Sequence, residues 1–277
     1  MAKTWFITGA ARGIGAEIVK AALAAGDPVV ATGRNPGEIE KTFSTHKDRV
    51  LALALDVTSE TQAIAAADAA VKRFGRIDVL VNNAGYGQLG AFEENAAADI
   101  ERQYATNVFG MMHVTRAVLP VMRRQRAGHI FNLSSIGGLV GYPCGSIYCS
   151  TKFAIEGFSE SLALEVAQFG IHITIVEPGF FRTDFLDGSS IKYGDRTIAD
   201  YATLATQMRN VYDGANHKQP GDPAKLGAAL VKLASMDKPP LRYAAGTDAV
   251  EGIIAKTASL RSEVDTWREL SVSTDHA

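Results

Sequence analysis

Six short apolar runs recur through the first 180 residues, each separated from the next by a longer stretch with helical spacing. They are Lys3 to Thr8 (KTWFIT), Pro28 to Thr32, Val50 to Leu55, Val79 to Asn82, His129 to Leu133 and Ile171 to Val176. Such runs, bounded by turn residues, read as strands buried on both faces. Strands that alternate with helices are joined by crossovers, which lay them parallel in one sheet with helices on both sides. The alternation therefore predicts an α/β fold: a single Rossmann-like, doubly wound parallel sheet with ligands at the carboxyl ends of its strands. No linker, repeat or low-complexity segment divides the chain, so residues 1–277 are expected to form one domain.

Between the strands, Ser59 with Gln62 resembles a capping box opening a helix to about Phe74. A long helix is expected from about Ala97 to Gln125, kinked or broken at Pro120. After the sixth run the pattern becomes irregular. Residues 180–219 hold Phe180, Phe181, Phe185 and Leu186 followed by Gly188, Ser189, Ser190 and Gly194, an excursion expected to act as a substrate lid. Leu139, Val140, Tyr142 and Cys144 would form the facing wall, and Arg182 and Lys192 could recognise an acid if they point inward. LRYAAG suggests a last short strand. In the tail, residues 247–271, Val250, Ile253, Ile254, Thr257, Leu260, Val264, Trp267 and Leu270 recur at helical spacing, which predicts a final helix with its apolar stripe against the core.

Composition excludes several classes. With 47% hydrophobic and 21% charged residues and a net charge of −2, the chain has no footprint for nucleic acid or an anionic membrane, which leaves small molecules as ligands. The opening MAKTWFITGA runs straight into a strand without a signal-peptide core, and no apolar stretch reaches the roughly 18 residues of a membrane span, so a cytoplasmic location is expected. Two cysteines, Cys144 and Cys149, and six scattered histidines give no metal-ligand spacing; no metal is expected.

Two places carry chemistry. The first is Gly9-Ala-Ala-Arg-Gly13-Ile-Gly15 between the first strand and an alanine-rich helix: glycines let a backbone approach a pyrophosphate, and the helix start offers unpaired N–H groups. Its spacing is GxxxGxG, not GxGxxG. The second is Ser135 to Lys152, SIGGLVGYPCGSIYCSTK. Tyr148 and Lys152 stand at i and i+4, on one face if the run is helical. A phenol is a poor base near pH 7, but a neighbouring ammonium favours its phenolate, and Ser135 could hydrogen-bond the same substrate oxygen. Gly157-Phe158-Ser159-Glu160-Ser161 approaches the GxSxG of serine hydrolases, but it lacks the last glycine and lies mid-helix.

Thr8 to Gly15 (TGAARGIG), Asp56-Val57, Asn82-Asn83-Ala84-Gly85, Asn107, Ser135, Tyr148, Lys152 and Pro178-Gly179 with Thr183 follow one another in an order that resembles the short-chain dehydrogenase/reductase family. The pattern is similar to members related to 17β-hydroxysteroid dehydrogenases and bacterial carbonyl reductases. The resemblance implies a nicotinamide cofactor held by Gly9, Arg12, Gly13, Ile14 and Gly15, by Asp56 and Val57 at the adenine, by Asn82, Ala84 and Gly85, and by Pro178, Gly179 and Thr183. It implies Tyr148 as acid/base, Lys152 on the nicotinamide ribose and lowering the tyrosine pKa, Ser135 orienting the carbonyl, and Asn107 holding a water linked to Lys152. It also implies a homodimer or homotetramer formed through the long helices near residues 97–125 and 148–169.

One departure bears on the cofactor. Where family members that use NAD commonly carry a carboxylate at the end of the second strand, VVATGRN has Gly33 and then Arg34. With Arg12 nearby, two arginines suited to a phosphate favour NADP(H). The leading expectation is an NADP(H)-dependent carbonyl reductase for lipophilic ketones. An NAD(P)-dependent alcohol or hydroxysteroid dehydrogenase working oxidatively is the alternative, and a non-catalytic NADP-sensing protein the third reading.

Overall fold

Each of the six runs forms a strand in the computed structural model, which describes residues 2–276. The strands are β1 (Trp5–Thr8), β2 (Val29–Gly33), β3 (Val50–Ala54), β4 (Val79–Asn82), β5 (Gly87–Leu89), β6 (Gly128–Leu133), β7 (Ile171–Pro178), β8 (Ile191–Tyr193) and β9 (Arg242–Ala245). Seven form one sheet in the order β3-β2-β1-β4-β6-β7-β9, every pair parallel. The chain steps outward from β1 to β3 and then returns to lay β4 on the other side of β1. That reversal opens a crevice at the carboxyl ends of β1 and β4, where ligands of such sheets bind.

The helices are α1 (Gly13–Ala24), α2 (Pro36–Thr42), α3 (Glu60–Phe74), α4 (Ala97–Tyr104), α5 (Gly110–Gln125), α6 (Ser146–Val166), α7 (Ala202–Ala215), α8 (Pro223–Ala234) and α9 (Thr247–Val272). Successive strand residues face opposite sides, so the apolar runs feed two cores. Trp5, Ile7, Val29, Val81 and Phe131 pack with Ile18 and Val19 of α1 and Leu226 and Leu230 of α8. Phe6, Val30, Leu80 and Ile130 pack with Ala63 and Ala66 of α3, Val114 and Val118 of α5 and Leu162 of α6.

Local details depart from expectation where tertiary contacts intervene. Ser59 Oγ accepts from the Gln62 N–H (3.3 Å), but Gln62 Oε1 accepts from the Asp56 N–H (2.8 Å) and so ties α3 to the turn before it; only half of the capping box forms. Pro120 sits inside α5 without ending it. The irregularity expected there lies earlier, at the π-helical turn Ala105–Phe109 between α4 and α5. It coincides with close tertiary packing: Gly110 lies against Val57, where a Cβ would come within 2.6 Å of Val57 Cγ2, and Asn107 bonds to the backbone of Tyr86.

Residues 180–219 contain β8, which pairs in parallel with β5 in a separate two-stranded ribbon, and α7. The ends of this excursion are clipped together: the Arg182 N–H donates to Gly221 O (2.9 Å) and the Gly221 N–H to Phe180 O (3.0 Å). The stripe of α9 does not face the core. Ala249 is its only buried residue, and Ile254, Val264 and Trp267 are 65%, 61% and 61% exposed. Helical periodicity reports that one side of a helix is apolar; it does not report whether the fold supplies a surface to cover it. Among the described residues no helix is long and apolar enough to cross a membrane.

Candidate active site

The glycine turn leaves β1 at Thr8 and enters α1 under tight steric control. Gly9 and Gly13 have φ of +64° and +56°, where L side chains are strained, and a Cβ on Gly15 would overlap Gly9 O. The turn is held by Asn83, whose amide donates to Thr8 O (2.9 Å) and Gly9 O (3.1 Å), while Thr8 Oγ1 accepts from the N–H groups of Asn83 and Ala84 (both 3.0 Å). Asn83 thus joins the ends of β1 and β4, a structural role that the motif alone did not single out. Gly85 lies against Asn107 and Ile14 packs at the edge of the core. Asp56 Oδ1 accepts from the Thr58 N–H (3.0 Å) and hydroxyl (2.8 Å), and Val57 is buried beside it. Asn82 is buried and donates to Thr115 Oγ1 (2.9 Å) and Asn132 Oδ1 (2.8 Å), and Asn132 donates to Ser159 Oγ (2.8 Å). The Asn82 and Ser159 side chains therefore belong to an interior network joining β4, α5, β6 and α6.

The two arginines differ. Arg34 is exposed at the end of β2, with no side-chain partner among the described residues. Arg12 donates to Ser189 Oγ (2.8 Å) and Ser190 Oγ (2.8 Å), joining the glycine turn to the excursion after β7. Thr183 sits against Gly13, and the Phe180 N–H donates to Asp248 Oδ2 (2.7 Å), so the first turn of α9 holds the chain just beyond Pro178 and Gly179.

Ser135, Tyr148 and Lys152 converge at the carboxyl end of β6. Ser135 stands near enough to the Tyr148 phenol to lower its pKa, and it accepts from the Gly137 N–H (3.0 Å). Lys152, one turn along α6, donates to Leu133 O (2.7 Å), with Nζ 5.7 Å from the centre of the Tyr148 ring. Burial pushes the phenol pKa well above its usual value, opposed by Ser135, and lowers the Lys152 ammonium to about 8. Burial sets the direction of the phenol's shift, and Lys152, expected to act on that phenol, bonds to a carbonyl. Asn107 Oδ1 accepts from the Tyr86 N–H (3.1 Å), and its amide donates to Tyr86 O (2.9 Å) and Thr151 Oγ1 (3.3 Å). Its side chain fixes the segment after Gly85 against α6.

Behind Lys152 lies a charge cluster not foreseen from the sequence. Glu156, one turn further along α6, lies beside Ser134 at Gly138, and Arg242 reaches Glu156 (3.3 Å), Glu160 (2.9 Å) and Glu177 (3.2 Å). Burial, followed by repulsion from Glu156, raises the Glu177 carboxyl to about 7. A glutamate inside the apolar run of β7 signals a need for a partner. The identity of that partner, on the neighbouring strand β9, is a matter of topology.

The excursion lies down over this site. The Phe185 ring stands 5.8 Å from that of Tyr148, and the cavity between α7 and the Cys144 loop, lined by Tyr193, Met208 and Tyr212 among others, measures about 10 Å³, room for about one water. A larger depression of about 470 Å³ lies at the opposite, amino ends of the strands, around Lys3, Asp78 and His172, away from these groups. Arg182 and Lys192 do not face a substrate: their side chains donate to Gln219 O (3.2 Å) and Gly188 O (2.6 Å). Asp184, Asp187 and His217 come within 4.8 Å of one another at the rim, a grouping hidden by their spacing. Asp187 is already bonded by Asn216 (2.6 Å) and His217 (3.2 Å), which closes the excursion on itself.

Comparison with known proteins places this geometry. Residues 3–193 match the family described as short chain dehydrogenase. The chain is 41% identical to oxidoreductase BOA17 of Botryotinia fuckeliana over 99% of both chains, and 37% identical to 3-ketodihydrosphingosine reductase of Bacteroides thetaiotaomicron over 91% of both. A short-chain dehydrogenase structure from Streptomyces avermitilis superposes over 100% of both chains (TM-score 0.92, 40% identity). A short-chain dehydrogenase/reductase of Burkholderia phymatum in complex with NAD (TM-score 0.81, 25% identity, 96% of this chain and 95% of that one) and ElxO with NADP bound (TM-score 0.71, 30% identity, 86% and 93%) share the fold. With the glycine turn, the sheet order and the Ser135–Tyr148–Lys152 cluster in one crevice, the chain belongs to the short-chain dehydrogenase/reductase family of oxidoreductases.

Proposed function

We propose that this protein is an NADP(H)-dependent carbonyl reductase acting on lipophilic ketones. The observation that carries the reading is the convergence of Ser135, Tyr148 and Lys152 beside a glycine turn that only glycines can form. The residues fit a nicotinamide dinucleotide: Gly9, Gly13 and Gly15 keep side chains away from the start of α1, and its first N–H groups suit a pyrophosphate. Arg12, Ile14, Asp56, Val57, Asn82, Ala84, Gly85, Pro178, Gly179 and Thr183 would border it, Asn82 through its main chain. When bound, the cofactor supplies the hydride. Tyr148 would give its phenolic proton to the carbonyl oxygen; a phenol at or above its ordinary pKa of about 10 is protonated at neutral pH, the form that reduction requires. Ser135 would hold the same oxygen by a hydrogen bond, and Lys152 would donate to hydroxyls of the cofactor ribose. Asn107 positions the segment around them.

The preference for NADP(H) rests on Gly33 standing where a carboxylate would otherwise be and on exposed Arg34 next to it. Arg12 can meet a phosphate only by leaving Ser189 and Ser190. Residues 180–219 would act as a lid, with Phe185, whose ring stands 5.8 Å from that of Tyr148, and the wall of Leu139, Val140, Tyr142 and Cys144 giving an apolar enclosure. A relative named as a ketodihydrosphingosine reductase is in keeping with such a substrate. A cytoplasmic homodimer or homotetramer is part of the reading, with exposed Phe109, Phe153 and Leu164 available for pairing.

The test is a spectrophotometric screen of NADPH and NADH oxidation with aryl, alicyclic and small charged ketones. Arg34→Ala should raise KM for NADPH about tenfold or more, since a charged hydrogen bond contributes about 1.5–3 kcal/mol, and leave KM for NADH unchanged. A wild type that prefers NADH, or one active only on small charged substrates, would overturn the reading.

A further inference from the structure

α9 leaves the body of the protein within its first turns. Ala249 is buried and Gly252 packs against Ile136, whereas every residue from Thr257 to Val272 is exposed. Helices in proteins owe most of their stability to packing of an amphipathic face, and this one turns its apolar side chains outward. Their spacing is that of a heptad seam. Val250, Ile253, Thr257, Leu260, Val264 and Trp267 follow in alternating steps of three and four, while Glu251, Ser259, Ser262, Asp265, Thr266 and Glu269 fill the positions facing away.

We propose that α9 pairs antiparallel with α9 of a second copy of this chain. Size and charge fix the direction. In an antiparallel pair, Val264 meets Ile253 of the partner subunit, Thr257 meets Leu260 of the partner subunit, and Val250 meets Trp267 of the partner subunit, so two of the three layers set a small side chain against a large one. The same register puts Lys256 opposite Glu263 of the partner subunit, twice by two-fold symmetry. A parallel pair would instead set Lys256 against Arg261 of the partner subunit, a like-charge contact on both flanks. A lipid surface fits less well, because Asp248, Glu251, Glu263, Asp265 and Glu269 outnumber Lys256, Arg261 and Arg268 on this helix, and anionic headgroups would repel it. Pairing also reaches the site: Trp267 of the partner subunit covers Val250, within one turn of Asp248, whose carboxylate accepts from Phe180 at the start of the excursion.

The test uses the full chain. Lys256→Cys/Glu263→Cys treated with oxidised glutathione should give a covalent dimer on a non-reducing gel, whereas either single variant and the wild type should not. The two positions in one helix stand about 10 Å apart along the axis, too far for an internal disulfide. Leu260→Glu/Val264→Glu should raise the dissociation constant about 100-fold or more by light scattering, with a melting curve that matches wild type below the concentration at which the chains pair, because both residues are exposed on the single chain. Lys256→Glu should weaken pairing roughly tenfold, and Lys256→Glu/Glu263→Lys should restore it. Absence of the cross-link, or a covalent dimer from Lys256→Cys alone, overturns the antiparallel pair. Sedimentation of a monomeric wild type with phosphatidylcholine vesicles also overturns it, in favour of a lipid cover.

Discussion

α6 and α9 are the two longest helices, and they invert the usual relation between polarity and burial. α6 buries Thr151, Lys152, Glu156 and Ser159, with Lys152 and Glu156 only 8% and 4% exposed. α9 exposes Leu260, Val264 and Trp267. A buried ammonium and carboxylate are expensive unless each finds partners, and here Leu133 O takes a hydrogen bond from Lys152 and Arg242 stands against Glu156 as its counter-charge. An exposed apolar stripe is equally out of place unless something covers it. The one helix shows a need met inside the chain, the other a need left open at its surface. Only Asp248 and the turns near Ile136 tie the second helix to the site that the first one builds.

The comparison can be broken most sharply at Tyr148. Tyr148→Phe should lower kcat by about 10²- to 10⁴-fold, the usual worth of acid/base catalysis, while NADPH affinity measured by fluorescence titration stays near wild type. A variant keeping more than about a tenth of the wild-type rate would remove the chemical reason for polar burial in α6.

Next come matched truncations. Leu162→Ala, in the core face of α6, should destabilise the protein by about 2–5 kcal/mol in urea unfolding. Leu260→Ala, below the concentration at which the chains pair, should fall within about 0.5 kcal/mol of wild type. Equal costs would mean that α9 packs on its own chain.

The charge cluster gives a pH signature of intermediate size. Glu177 has a carboxyl raised to about 7 by burial, so the folded state binds its proton more tightly than the unfolded one. Its stabilisation is complete below the ordinary glutamate pKa and is lost as pH rises through about 7, a change on the order of 3 kcal/mol if undiluted. Glu177→Gln should therefore flatten the fall in melting temperature between about pH 4.5 and 7. An unchanged slope would assign that pH dependence to other groups.

Much of this protein was legible along the chain because it depends on local order. Apolar runs separated by helical spacing dictate a parallel sheet, since both faces of every strand must be covered and the crossovers fit no other arrangement. The glycines at 9, 13 and 15 and the four-residue step from Tyr148 to Lys152 encode the crevice and the shared helix face in the same way. The tertiary structure decided what depends on distant partners. It set the break in the long helix at Asn107, where Tyr86 binds, and not at Pro120; it engaged Arg12 with Ser189 and Ser190; and it brought Arg242 to Glu156 and Glu177. It also raised the Tyr148 pKa, because burial is a property of what surrounds a side chain. For α9 the sequence determined a helix with one apolar side. Whether that side lay inside or out was set by where the fold directs the helix beyond Gly252, and from residue 257 onward it stands clear of the rest of the chain.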